Sequence, residues 1–191
     1  SVNYVTVFAW PFYAFLALYA ETIMHLMFGY QWDAAIPLVR IIVIAGAVGA
    51  LSNLSHNVLV AMGAINKSVR IQLIMQSVRI PVVIYTALQG LENVCYGQIG
   101  IFLFQLLVTG IYLKQAIKLS LIMLIWKNIN SFFVTIISMV VPFYIFVYGI
   151  EGISINHQFY ISVISCFISW IIAGFVCKHP ISKELIRLFS R

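Results

Sequence analysis

The sequence predicts an all-α integral membrane protein with six transmembrane helices, and three observations carry that prediction. Of the 191 residues, 63% are apolar and only 8% charged, with a mean hydropathy of +1.04; an ordinary soluble domain is about half apolar and a quarter charged. Too few polar groups exist to cover a water-facing surface. The apolar residues also run in long continuous stretches of about 20, the length that crosses a bilayer as helix. The basic residues, finally, cluster in every second turn between those stretches. Alternating ten-residue segments, the signature of a membrane barrel, are missing.

Each stretch is bounded by polar turns. The first runs from about Val5 to Phe28 and stops at Gly29-Tyr30-Gln31-Trp32-Asp33. A second covers Leu38 to Met62, before Gly63-Ala64-Ile65-Asn66-Lys67. The third covers Val69 to Leu88 and is closed by Gly90-Leu91-Glu92-Asn93. A fourth occupies Tyr96 to Leu119, a fifth Ile129 to Gly149, and a sixth Gln158 to Val176. The apolar octet Leu119 to Trp126 is too short to cross, and reads as a connector (residues 120–128) lying along the membrane surface. Residues 1–119 then read as four helices of one lobe, 129–177 as an added helix pair, and 178–191 as a basic amphipathic tail.

Orientation follows from the loops. One set of turns carries Lys67 and Arg70, then Lys114, Lys118 and Lys127, then Lys178, Lys183, Arg187 and Arg191. The other carries Asp33, Glu92 and Glu151, with Arg40 at its edge. Basic loops stay in the cytoplasm, so both ends of the segment are expected there and the acidic turns outside. In the tail, Lys183, Arg187 and Arg191 share one helical face and Leu185, Leu188 and Phe189 the other. Such a segment suits contact with anionic lipid, and equally a basic end that fixes topology. The first residue is Ser1 and the apolar pattern begins at once, without a signal peptide; the sequence is expected to start inside a longer protein. The three cysteines, Cys95, Cys166 and Cys177, are an odd number, far apart. They make neither a disulfide framework nor a metal site and read as small apolar fillers.

Polar side chains mark the interior-facing sides of the helices. Gln72, Gln76, Arg79, Val83 and Thr86 recur at helical spacing on the third stretch; Gln98, Gln105, Thr109 and Tyr112 do so on the fourth. On the second, Gly49, Asn53, His56, Asn57, Val60 and Gly63 share a face. The last two stretches offer hydroxyls and small groups (Ser131, Thr135 and Ser138; Ser162, Ser165 and Ser169), which suit close helix packing. The first four helices therefore read as the wall of a polar cavity. Its candidate substrate-binding residues are Arg79, Gln76, Gln72, Asn53, His56 and Gln105.

Arg79 is the sharpest feature. It lies near the middle of its stretch, where a cation costs about 2.5–3.5 kcal/mol even on insertion scales, two residues before Pro81, which removes a backbone donor and is expected to kink the helix. A mid-depth guanidinium suits an anionic group such as a phosphate, or an ion pair with a carboxylate on another helix. Glu21 and His25, four apart, can pair on one face. They form either a titratable coupling pair or a polar anchor at the interface. His56 with Asn53 and Asn57 fits interhelical hydrogen bonding as well as substrate contact. Gly46-Ala47-Val48-Gly49 has neither the strand before it nor the Lys-Ser/Thr after it that a phosphate loop needs. No catalytic constellation, metal cluster or cofactor motif is present, so no enzyme is expected and no partner among nucleic acids.

The run Val7 to Glu21 (VFAWPFYAFLALYAE), then Phe28 to Ile41 (FGYQWDAAIPLVRI), resembles the Wzx-type polysaccharide flippases of lipopolysaccharide biosynthesis, in the multidrug/oligosaccharidyl-lipid/polysaccharide superfamily. Leu59-Val60-Ala61-Met62-Gly63 before a basic turn and Arg79-Ile80-Pro81 in the next helix extend the similarity over about the first ninety residues; the remainder agrees in hydropathy and topology only. The resemblance implies two six-helix lobes facing each other in a V, often with two additional C-terminal helices. It also implies alternating access that moves an undecaprenyl-pyrophosphate-linked oligosaccharide across the bacterial inner membrane. This chain would be most of the second lobe plus the additional pair, with the N-terminal lobe and membrane lipids as its partners. Arg79 falls at a basic position of similar proteins, which implies contact with the pyrophosphate; Glu21 and Arg40 match by motif without an implied role. The rivals are a multidrug exporter of the same superfamily, which would want acidic residues in its cavity, and a membrane-embedded polymerase or glycosyl-transferring enzyme, which would show a long charged outer loop.

The orientation is testable by single-cysteine labelling in intact cells with a membrane-impermeant thiol reagent. Cysteines placed at Asp33 and Glu92 are expected to react from outside, and those at Lys67 and Lys118 only after permeabilisation. The reverse pattern contradicts the charge argument.

Overall fold

A computed structural model describes residues 2–61, 63, 65–117, 121–149 and 154–176. These fold into seven α-helices and one 3-10 turn: α1 (Val2–Leu18), α2 (Ala20–Phe28), the turn (Tyr30–Ala35), α3 (Ile36–Ala61), α4 (Ile65–Ala87), α5 (Leu91–Ile117), α6 (Leu121–Tyr148) and α7 (Ile155–Val176). No strand occurs among the described residues. The all-helical class expected from the sequence is therefore observed. The tail after Val176, with Cys177 and the Lys183/Arg187/Arg191 stripe, lies outside the described residues, as does Glu151.

Among the described residues, four helical segments are long and apolar enough to cross a membrane: Tyr30–Ala50, Leu91–Lys114, Ile129–Tyr148 and His157–Val176. A fifth is the pair Val5–Leu18 and Ala20–Phe28, if its 76° bend is one broken span. The count differs from the expected six at α4. That segment is helical over Ile65–Ala87, but Lys67, Arg70, Gln72, Gln76 and Arg79 leave it short of the apolarity that marks a span. Large apolar side chains elsewhere point outward, among them Phe132, Phe133, Val140, Phe143, Ile164 and Phe167, all more than half exposed, a surface that suits hydrocarbon better than water.

Two boundaries depart from expectation. The first stretch is not one straight helix but breaks at Tyr19, whose backbone sits at φ −98°, ψ 20°. Nothing at Tyr19-Ala20 is a helix breaker by propensity, so the break belongs to tertiary contacts. The second departure is the apolar octet expected as a connector. Its Leu121 to Trp126 are instead the first turns of α6, which runs unbroken for 28 residues. The physical reason is that no Gly or Pro separates Leu121 from Pro142, and Lys-Asn-Ile-Asn is polar without ending a helix. α4 likewise continues through Pro81. The expected turn at Gly29 is present, with φ 81° at a position that a side chain would strain. It leads into the 3-10 turn rather than open loop.

Close contacts divide the chain into two compact units. One holds Asn3–Ile36 together with α6 from Asn128 onward and α7; the other holds Pro37–Lys127.

In the first unit, Val7, Val134, Trp170 and Ala173 form the buried centre. Two prolines shape its polar contacts. Pro11 has no N–H for the carbonyl four residues back, that of Val7, and Trp170 Nε1 donates to that oxygen at 2.8 Å. Pro142 does the same to Ser138, whose carbonyl lies 2.8 Å from Ser169 Oγ. The Ser169 hydroxyl shares its single proton between this oxygen and its own helix at Ser165 O, 2.7 Å away. At the α1–α2 break the buried Tyr19 hydroxyl meets the Pro142 carbonyl at 2.9 Å and Ser162 Oγ at 2.6 Å. Thr6 Oγ1 meets Ser131 Oγ at 3.2 Å. Ser131, Ser138 and Ser162 are fully buried, so the small hydroxyl residues of the last two helices pack closely as their composition indicated.

In the second unit, Ile71 and Met75 of α4 pack on Ile101 and Leu113 of α5. The α3–α5 contact depends on Gly49. A Cβ there would lie 2.8 Å from Phe102 Cε1 and 2.9 Å from Cδ1. Gly49→Ala is expected to cost about 1–3 kcal/mol by overpacking, read as a lower midpoint of unfolding in mixed detergent micelles. Gly100→Ala, where the new methyl meets nothing within 4 Å, should hold or raise that midpoint. Equal effects of the two variants would mean that the ring does not sit against Gly49.

Candidate functional site

Arg79 lies on α4 between its buried and exposed sides. The guanidinium carbon stands 5.9 Å from the centre of the Phe102 ring on α5, within the range of a cation–π contact. Phe102 shares a face with Gln98, Gln105, Thr109 and Tyr112, spaced three and four residues apart. Arg79 therefore stands beside the polar face of α5, while Gln72 and Gln76 of its own stripe are exposed. Sequence reasoning missed Phe102, because an aromatic residue in an apolar helix carries no signal of its own; its place between Gln98 and Gln105 on the polar face was the available clue.

What surrounds the guanidinium is informative. Its Nε is buried without a hydrogen-bond partner among the described residues, and the same holds for Thr109 Oγ1. An unpaired buried polar group costs about 1–3 kcal/mol, more when charged. No carboxylate among the described residues pairs with Arg79, so the partner that a structural arginine would need is not among them. Gln105 is buried and has partners of its own. Gln72 and Gln76 are exposed on α4. The side chains of Asn53, His56 and Asn57 lie outside the described residues.

The second group of candidates is in the other unit. Glu21 and His25, one turn apart on α2, line a common cavity of about 590 Å³ with Tyr19, Thr22, Tyr30, Phe146, Gln158 and Phe159. His25 Nε2 lies 2.7 Å from Asp33 Oδ1, and its ring lies 4.4 Å from that of Tyr30. This pairing holds the 3-10 turn against α2 and is formed with Asp33, a partner the sequence spacing did not single out. The Asp33 side chain is 61% exposed, so the ion pair contributes at most about 1 kcal/mol.

The same unit carries a second cavity, of about 690 Å³, with almost wholly apolar walls from Phe8, Phe12 and Phe15 of α1 and Cys166, Phe167 and Trp170 of α7. Among the described residues no group of three or more His, Cys, Asp and Glu is placed to hold a metal ion.

The Nε of Arg79, without a partner among the described residues, gives a direct stability test. Arg79→Met keeps the side chain as far as the position of Nε and removes the buried unsatisfied N–H, so the variant is expected to unfold at the same or higher denaturant than the parent. Destabilisation by more than about 2 kcal/mol would show that the arginine is a structural member of the fold. No known protein family, no curated protein and no solved structure matches the chain.

Proposed function

We propose that the chain is part of a flippase that carries an undecaprenyl-pyrophosphate-linked oligosaccharide from the inner to the outer leaflet of the bacterial inner membrane. The observation that carries the reading is Arg79, a guanidinium with a buried Nε and no carboxylate partner among the described residues. A cation kept in apolar surroundings without a permanent partner is costly, and is retained where it serves a ligand. Pyrophosphate is the matching chemistry, because a guanidinium fork offers parallel N–H donors to phosphate oxygens. Gln72, Gln76 and Gln105 supply amide groups on the adjoining stripes. The apolar cavity between α1 and α7 supports the reading from the lipid side, since its phenylalanine and tryptophan walls suit an isoprenoid chain.

The finer architecture belongs to the same proposal. In it α4 is the sixth crossing, made tolerable in the membrane by facing a water-filled cavity rather than lipid. The segment is the second lobe of a V-shaped transporter with both ends in the cytoplasm, completed by an N-terminal lobe. Transport requires no catalytic residue of this chain and no cofactor, only a polar path for the head and a groove for the tail.

In cells that export lipid-linked sugar through this protein, Arg79→Ala is expected to abolish surface polysaccharide while Arg79→Lys retains part of it. Lysine keeps the charge but loses the bidentate fork, a difference of about 1–2 kcal/mol, roughly tenfold. Normal polysaccharide in a stably expressed alanine variant would remove Arg79 from the mechanism.

A further inference from the structure

The chain turns by 76° between α1 and α2, and the contacts of α1 fix the level at which it does so. Thr6 meets Ser131, Trp170 donates to the Val7 carbonyl, and Tyr19 reaches Pro142 and Ser162. These contacts at both ends lay α1 alongside α6 and α7. α1 holds 17 residues, enough for a short crossing. Pro142 lies six residues before Tyr148, where the span of α6 ends, and Ser162 five after His157, where that of α7 begins. At 1.5 Å per residue the bend sits about 7–9 Å inside the ends of those spans. α2 therefore leaves the bend near a membrane surface and runs across the spans.

The two sides of α2 differ in the sense that such a position requires. Ile23 lines the apolar cavity with Phe12, Phe15 and Leu16 of α1, so its side of α2 is the one turned back along α1. Met27 follows one turn later on that side, and both it and Leu26 are exposed. Glu21 and His25 fall about 160° around the helix from Ile23 and Met27. They line the other cavity together with Gln158, at the start of the α7 span. His25 Nε2, 2.7 Å from Asp33 Oδ1, closes the following turn against α2. That turn exposes Tyr30 and Trp32, residue types that settle at the boundary between lipid and water.

α2 does not suit a crossing of its own, because nine residues reach only about 14 Å. We propose that α2 and the 3-10 turn are an interfacial segment seated in the headgroup boundary of a phospholipid leaflet. Ile23, Leu26 and Met27 enter the acyl chains, while Glu21 and Asp33 stay in water. No lysine or arginine occurs from Ala20 to Ala35, so apolar insertion rather than attraction to anionic lipid holds the segment. The first crossing is then α1 alone. This reading does not depend on Arg79 or on the cargo assigned to it.

The test uses the full chain with its cysteines replaced, reconstituted in phosphatidylcholine bilayers and carrying one nitroxide label at Phe12, Glu21, Ile23 or Met27. Power-saturation electron paramagnetic resonance reads the access of oxygen and of a nickel chelate to each label. Labels at Ile23 and Met27 are expected at a common depth of about 5–10 Å, with Phe12 deeper. Glu21 should be about threefold more accessible to nickel than Met27. Phe12, Glu21 and Met27 are exposed, so labels there leave the packing intact, and circular dichroism confirms helicity. Equal nickel access at Glu21 and Met27 would overturn the proposal. So would a depth difference of about 6 Å between Ile23 and Met27, the value for a helix that continues across the bilayer.

Discussion

A polar group carried into an apolar environment must find its partner within the protein, and this constraint organises the chain. The two prolines of the first unit make it concrete. Pro11 and Pro142 each withdraw a backbone donor, leaving the carbonyls of Val7 and Ser138 open. Both are met from α7, by Trp170 and by its neighbour Ser169. Two consecutive residues of one helix thus repair the hydrogen-bond ladders of two others, which sets how α7 is rotated and where it sits along α1 and α6. The apolar contacts of Val7, Val134 and Ala173 around Trp170 follow from that placement.

Arg79 is the counterpart in the second unit. There the same accounting is left open: the Nε has no acceptor among the described residues, and the aromatic ring of Phe102 offers attraction without a hydrogen bond. Arginine tolerates this better than lysine, because its delocalised charge is weakly hydrated and lies flat on a ring. Gly49 belongs to the same arrangement, since its missing side chain is what lets the Phe102 ring lie against α3. A packed glycine, a ring and a cation form a chain of contacts in which each position limits the next.

Much of the helical plan was legible in residue pattern alone. The helix ends at Gly29, Gly63, Gly90 and Gly149 were marked by turn residues, and the serines of α6 and α7 announced close packing. The break at Tyr19 was not legible, because it is held by a phenolic hydroxyl reaching Pro142 and Ser162, more than a hundred residues away. The apolar residues that open α6 misled for the opposite reason: a polar interruption resembles a loop in hydropathy, yet nothing in Lys127 to Asn130 stops a helix. At the candidate site, Arg79 stood out by its charge and Glu21 with His25 by their spacing. Phe102 and Asp33 did not, since their importance comes only from what the fold brings to them.

The central claim is that position 79 faces water able to admit an anionic head group. Its most direct measurement places a single cysteine at Arg79, with Cys95, Cys166 and Cys177 replaced, and follows its reaction with a small charged methanethiosulfonate in membranes. The account predicts rapid labelling that added undecaprenyl pyrophosphate slows. A thiol that fails to react, as it would against acyl chains or in a closed core, would contradict it.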